Sequence, residues 1–212
     1  MMYTELEIVN ACLIAIGNER VTELDFPDTD TDIAITIVRE SRIDVLSMGW
    51  WFNHEDNWTL PLDDNGQVKF PASVIDFRTI RLHREADIVK RSGFLYDKTN
   101  HTYDLSPLTN TDSIDTDMLM DLVMEDCPVV AQQYIRATAR TRFVQDLDAN
   151  SSKLKKLEQD ELKYLALLER QHYRNSKFNV YGHSRVQLIL GGMSGPNTLS
   201  GIATVNPLGG SE

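Results

Sequence analysis

Two cysteines in 212 residues, Cys12 and Cys127, are all the thiol chemistry the sequence holds. They lie far apart and match no metal or redox spacing, so free thiols buried in a reducing compartment are expected. Long apolar runs are missing too: nothing approaches the ~20 consecutive apolar residues that cross a bilayer, so no membrane anchor is expected. The first residues, "MMYTELEIVNACLIAIGNER", lack a basic leader and a small-residue cleavage site, and synthesis without export, in the cytoplasm, is the expectation. Positive charge is scarce. There are 21 Lys+Arg against 32 Asp+Glu, a net charge of −11. The deficit is uneven, because residues 1–127 carry 10 basic against 25 acidic side chains (−15) and residues 128–212 carry 11 against 7 (+4). An acidic surface repels phosphates, which argues against a DNA-binding module and suits a conduit to which DNA must not adhere. Charge that serves solubility alone is the plainer account.

Catalytic and metal motifs are absent as well. "HED" at His54–Asp56 begins like a zinc-protease motif, but the second histidine would have to stand one helical turn on, where Trp58 is found. The five histidines, His54, His83, His101, His172 and His183, form no close pair. The glycine cluster "LGGMSGPNT" lacks the Gly-Lys-Ser/Thr ending of a phosphate loop, and no Gly-x-Ser-x-Gly elbow occurs. Carboxylates abound without singling out a pair. No internal repeat is visible, no metal or cofactor is expected, and the sequons at Asn57, Asn100 and Asn150 carry little meaning without secretion.

What is present is helical periodicity. Leu6, Val9, Leu13 and Ile16 predict a helix over Thr4–Ile16, stopped by Gly17. "PDTDTD" supplies N-cap residues and acidic charge for a second, about Thr31–Met48, whose apolar stripe runs up to Gly49. Pro128 opens a third, to Leu147, with Val130, Tyr134, Ala137, Thr141 and Val144 as its stripe and Arg136, Arg140 and Arg142 mostly off it. Ser151 or Ser152 caps a fourth, running to about Tyr173, with Leu154, Leu157, Tyr164, Leu165 and Leu168 on one face. Between Trp50 and Asp104 short pieces ("WTLPL", "QVKF", "TIRLHR", "IVKR", "GFLYD") predict a small antiparallel sheet, and the acidic "SPLTNTDSIDTDMLMDLVMED" reads as a loop entering a short strand or helical turn. The expected fold is mainly α. It is an antiparallel helical bundle (residues 1–49 and 127–178) with a small antiparallel β insertion (50–126), a long C-terminal helix and a flexible glycine-rich tail (179–212).

All three tryptophans, Trp50, Trp51 and Trp58, fall directly after the second helix. Large rings at such a place pin a helix end onto the next element, each burying on the order of 150–250 Å². We read all three as fold anchors. A binding hot spot is the competing reading, and a sugar-stacking platform a distant third.

"VNACLIAIGNERVTEL", the acidic "DTDTD" spacer and "SMGWWFNHEDNWTL" resemble the N-terminal half of the tail tubular protein A family of short-tailed bacteriophages. In the same order, "RSGFLYDKTNHTYD" resembles that family's Gly-aromatic-x-Tyr-Asp hairpin, "CPVVAQQYIRATARTRFVQDLDA" its central helix and "YRNSKFNVYG" the segment after its long helix, together reaching across most of residues 4–182. The resemblance implies a structural head-to-tail adaptor, or gatekeeper, made in the host cytoplasm and carried in the virion tail. Such proteins form a dodecameric ring between the portal protein and the tail nozzle (tail tubular protein B), near the tail fibres, and the genome passes through without sequence-specific contact. On that reading Asp28, Asp30, Asp32 and the Asp112–Asp126 stretch are candidates for lumen charge. Arg170, Arg174, Phe178 and Tyr181 are candidates for clamping a neighbour, since a closed ring needs a heterologous interface. The alternative function is a tail-associated cell-wall hydrolase that would use acidic residues beside an aromatic platform.

Overall fold

A computed structural model of the chain describes residues 3–25, 28–80, 86–148 and 151–176. The chain divides into two units, Met1–Asn175 and Ser176–Glu212. The predicted tail, 179–212, lies outside the described residues.

Four helices form where the periodicity places them, and local chemistry sets their ends. In α1 (Glu5–Ile16) the Thr4 hydroxyl accepts from the Glu7 amide while the Glu7 carboxylate accepts from the Thr4 amide, and Gly17 closes the helix at φ 92°. Helix α2 (Thr29–Ser47) is capped by Asp28, which accepts from the Thr31 amide at 2.8 Å, and it ends at Gly49, φ 75°, packed under Leu119. Helix α3 (Val129–Leu147) follows Pro128. Helix α4 (Ser151–Asn175) has 25 residues, ~37 Å of length at ~1.5 Å per residue.

Helix α3 packs against α1, α2 and α4. Ala131, Tyr134, Ile135, Ala137, Ala139, Phe143 and Val144 are all buried, so burial extends well beyond the single expected stripe, as it must for a helix with partners on three sides. Ile8, Val9, Cys12 and Leu13 from α1, Ala34, Val38, Val45 and Leu46 from α2, and Leu168 from α4 complete this core. Both thiols are free and buried; burial pushes Cys12 up to about 12 and Cys127 up to about 11, so both stay protonated near neutrality.

The region between α2 and α3 corrects the expected fold class. It holds a three-stranded antiparallel sheet in the order β1 (His54–Pro61), β5 (Ser113–Met120), β2 (Val74–Ile80), and a separate hairpin of β3 (Ile88–Arg91) and β4 (Phe94–Asp97). Helices take 49% and strands 20% of the described structure, so the fold is mixed α/β and not a mainly helical bundle with a small insertion. The physical reason is that this region buries a core of its own. Leu60, Val68, Phe70, Val74, Leu95, Leu105, Ile114 and Met118 pack together apart from the helical cluster. The expected "QVKF" strand meets β4 through one bridge, Lys69 to Phe94, and part of "TIRLHR" lies outside the described residues.

The stretch read as a loop entering a strand or helical turn contains the central strand. On β5 Ile114, Thr116 and Met118 alternate inward. Asp115 and Asp117, poor strand formers, alternate with them. Asp117 is tolerated because β1 bulges between Glu55 and Trp58, with Asn57 at φ 55°, and the Asn57 amide donates to its carboxylate at 3.2 Å while Arg78 donates at 2.8 Å from β2. Desolvation pushes the Asp117 carboxyl up, but the bonds from Arg78 and Asn57 outweigh it and hold the group below its ordinary value.

The β3–β4 turn uses two residues, Ser92 at φ 51° and Gly93 at φ 79°, the positive-φ pair of a type I′ hairpin. After β4, the buried Asp97 carboxylate closes the next loop, accepting from the Thr99 amide at 2.8 Å and the Asn100 side-chain amide at 2.7 Å. Desolvation pushes the Asp97 carboxyl up, but the bonds from Asn100 and Thr99 outweigh it and hold the group below its ordinary value.

Asn53, fully buried, joins the helices to the sheet. Its Oδ1 accepts from the Trp50 amide at 2.9 Å, and its Nδ2 donates to the Leu46 carbonyl at 2.9 Å and the Met120 carbonyl at 3.1 Å. Its own carbonyl accepts from the Met120 amide at 2.8 Å. The end of α2, the turn after it and the end of β5 thus meet on one amide. Gln132, equally buried, does the same on α3: it accepts from the Tyr3 amide at 2.8 Å and donates to the carbonyls of Met124 (2.9 Å) and Cys127 (3.0 Å).

Asn53→Ala is expected to cost about 3 kcal/mol, since it leaves buried backbone groups unpaired at about 1–3 kcal/mol each. Urea melts followed by circular dichroism check this, and a loss under about 1 kcal/mol would contradict it. Asp97 contributes stability that is whole above the unfolded carboxylate value of ~3.9 and is lost as pH falls through the lower folded value. Asp97→Asn should therefore be less stable at neutral pH and lose less on acidification below about pH 4. Identical pH slopes for the two proteins in parallel melts would count against that role.

Candidate assembly interface

The tryptophan-rich turn meets the C-terminal part of α4. Trp50 is buried, with 6% exposure, and its Nε1 donates to the Val45 carbonyl at 2.6 Å. Its ring stands edge-on to His172 at 5.5 Å between centroids. Trp51 is half-buried; its amide donates to His172 Nδ1 at 3.2 Å and its ring packs on Phe52 at 5.0 Å. These rings hold α4 against the start of the sheet region. Trp58 stands apart on β1, 45% exposed although it shares the strand face of the buried Leu60, beside the bulge between Glu55 and Trp58.

Helix α4 buries Leu157 and Leu168 and half-buries Leu154, Tyr164, Leu165 and His172. Its other side is exposed and mixed. Leu162 is 67% and Tyr173 64% exposed, with Ala166, Leu167 and Arg170 also exposed. Residues 162, 166, 170 and 173 follow helical spacing, so they line one ridge. Arg170 and the exposed Arg174, one turn on, make no ion pair among the described residues. Phe178 and Tyr181, expected to act with them, lie outside the described residues.

The three aspartates at the start of α2 sit together, and two already have work in the fold. Asp28 caps the helix, and hydrogen bonding by Thr31 holds its carboxyl below the ordinary value. Asp30 accepts from Asn18 at 2.8 Å, while Asp32 is exposed. No group of three or more His, Cys, Asp or Glu able to hold a metal occurs among the described residues, and no described helix is long and apolar enough to cross a membrane. Asn53, Gln132 and His172 were not singled out by sequence reasoning. A buried amide reads like a surface one until its partners, as far as 129 residues away for Gln132, come into place.

An exposed ridge of apolar and basic residues has the character of surfaces by which structural assembly proteins meet other chains. The chain matches the model of the tail tubular protein family over residues 6–178 and belongs to that family, which makes it a structural component of a bacteriophage tail, carried in the virion. It is similar to tail tubular protein A of Klebsiella phage KP34, 26% identical over 178 residues that cover 82% of this chain and 90% of that protein.

Trp50→Ala is expected to cost about 3–5 kcal/mol, the usual range for a buried large aromatic. Trp58→Ala should cost under about 1 kcal/mol. Chemical denaturation followed by circular dichroism separates the two, and equal losses would overturn this ranking.

Proposed function

We propose that the chain is a head-to-tail adaptor of a short-tailed phage. Its copies form a ring, dodecameric as the family resemblance implies, between the portal and the tail nozzle, prolonging the channel through which DNA leaves the capsid. The observation that carries this reading is family membership across residues 6–178, which takes in both the helical core and the two sheets. The exposed α4 ridge supports it, because a closed ring needs one surface of each copy to grip a different surface of the next. The acidic balance of residues 1–127 supports a passage to which DNA does not adhere.

In this reading Arg170 and Arg174, with Phe178 and Tyr181 beyond them, clamp the adjacent subunit or the portal. Asp28, Asp30 and Asp32 face the channel or its edge. Residues 1–49 and 127–178 form the helical part and residues 50–126 the sheet part. Nozzle and tail fibres attach nearby, and the protein is made in the host cytoplasm without enzymatic work of its own.

Electron microscopy of the purified full chain, alone and mixed with its portal, tests the proposal. Rings on the portal are expected; a chain that stays solitary beside the portal would remove the adaptor reading. Arg174→Ala combined with Phe178→Ala should weaken ring formation at least about tenfold, as loss of a charged and an aromatic contact does at an interface centre. Intact rings from that variant would remove the clamp while leaving the adaptor in place.

A further inference from the structure

Three arginines of the helical core have carboxylate partners. Arg39 meets Glu5 at 2.7 Å, Arg42 meets Asp121 at 3.1 Å, and Arg142 meets Asp44 at 2.6 Å. Two do not. Arg136 and Arg140, one turn apart on α3 and half-buried, make no ion pair among the described residues, and the Nε of each is buried without a hydrogen-bond partner. Arg136 lies over the Tyr3 ring, 5.0 Å from its centroid. Arg140 is weakened as a base by desolvation and then by Arg136; Cys12, Asp160 and Tyr164 act the other way, Asp160 from beyond ion-pair distance. The two guanidiniums therefore sit in the seam of α1, α3 and α4, repelling each other, in a chain of net charge −11 where carboxylates are plentiful. Such a pair is poorly served within one copy. Two fixed, planar donor forks side by side match a carboxylate far better than a lone lysine would.

We infer that Arg136 and Arg140 form a receptor for a carboxylate side chain presented by the acidic surface of a second copy of this chain. This inference rests on the assembly reading above. The occupant follows from charge complementarity: residues 1–127 of each copy carry a net −15, and the arginine pair lies in the part, residues 128–212, that carries +4. A carboxylate seated against the terminal nitrogens of the two guanidiniums relieves their like-charge repulsion. The site is separate from the α4 ridge, because its two arginines stand on α3.

Two measurements on the full chain test the idea. In the first, sodium malonate is compared with sodium chloride at equal ionic strength: malonate should raise the unfolding temperature of the wild type and leave the Arg136→Gln/Arg140→Gln double variant unmoved. In the second, sedimentation should show self-association of the double variant weakened at least about tenfold, while its own unfolding temperature in chloride is unchanged or higher, since repulsion is gone. A purely structural role for the arginines predicts the reverse, a less stable monomer. The Arg136→Lys/Arg140→Lys variant keeps both charges and most of each stem but loses the forks, and it should associate more weakly than wild type. Unchanged association of either variant beside an associating wild type overturns this inference alone. A wild type that never associates, even with its portal, overturns the assembly reading and the second copy as occupant. Absence of a malonate effect then separately overturns the carboxylate site.

Discussion

The amide of Asn53 is the most densely bonded link between the helical core and the sheets. Helix α2 ends with unsatisfied carbonyls, as every helix does, and β5 ends beside it with the same problem. One buried side chain serves Leu46, Trp50 and Met120 at once. With that junction set, Trp50 is placed to receive the edge of His172 and Trp51 to bond it, so the position of the last helix follows from a turn some 120 residues earlier in the chain. The exposed ridge of α4 is thus held out by a chain of interactions that begins at an uncharged residue.

Buried polar groups in this protein fall into two kinds. Asn53, Gln132, Asp97 and Asp117 are buried with their partners in place, and each fixes a loop, bulge or junction. Arg136 and Arg140 have their Nε atoms buried with no partner at all. The Nε of Arg42 is buried without a partner as well, but that guanidinium pairs with Asp121, whereas Arg136 and Arg140 meet no carboxylate within ion-pair distance among the described residues.

Helix ends were legible in the sequence because capping is local. Thr4 with Glu7, Gly17, Asp28 and Gly49 all act within a few residues of themselves. The apolar stripe of α4 was legible for the same reason. Strand β5 was not, because Asp115 and Asp117 speak against a strand, and the groups that make Asp117 acceptable, Arg78 and the Asn57 amide, stand 39 and 60 residues away. That misreading led to a fold class weighted too far toward helix. The three tryptophans look alike in the sequence, yet Trp58, beside the bulge in β1, stays 45% exposed while the turn before the strand buries Trp50. The isolation of Arg136 and Arg140 was illegible too, since whether a charge has a partner is a property of the folded packing.

The three-stranded sheet leaves two outer strands, β1 and β2, that no further strand continues among the described residues. Both are broken by bulges, at Glu55–Trp58 and at Val74–Asp76, and β1 carries His54, Glu55, Asp56 and Asn57 toward solvent before it stops at Pro61. Kinked, charged and proline-ended margins are poor templates for hydrogen bonding to another backbone. A tail component must meet other chains at close quarters without zipping onto them at random. Irregular borders of this kind disfavour edge-to-edge strand pairing, the route by which sheets grow into fibrils.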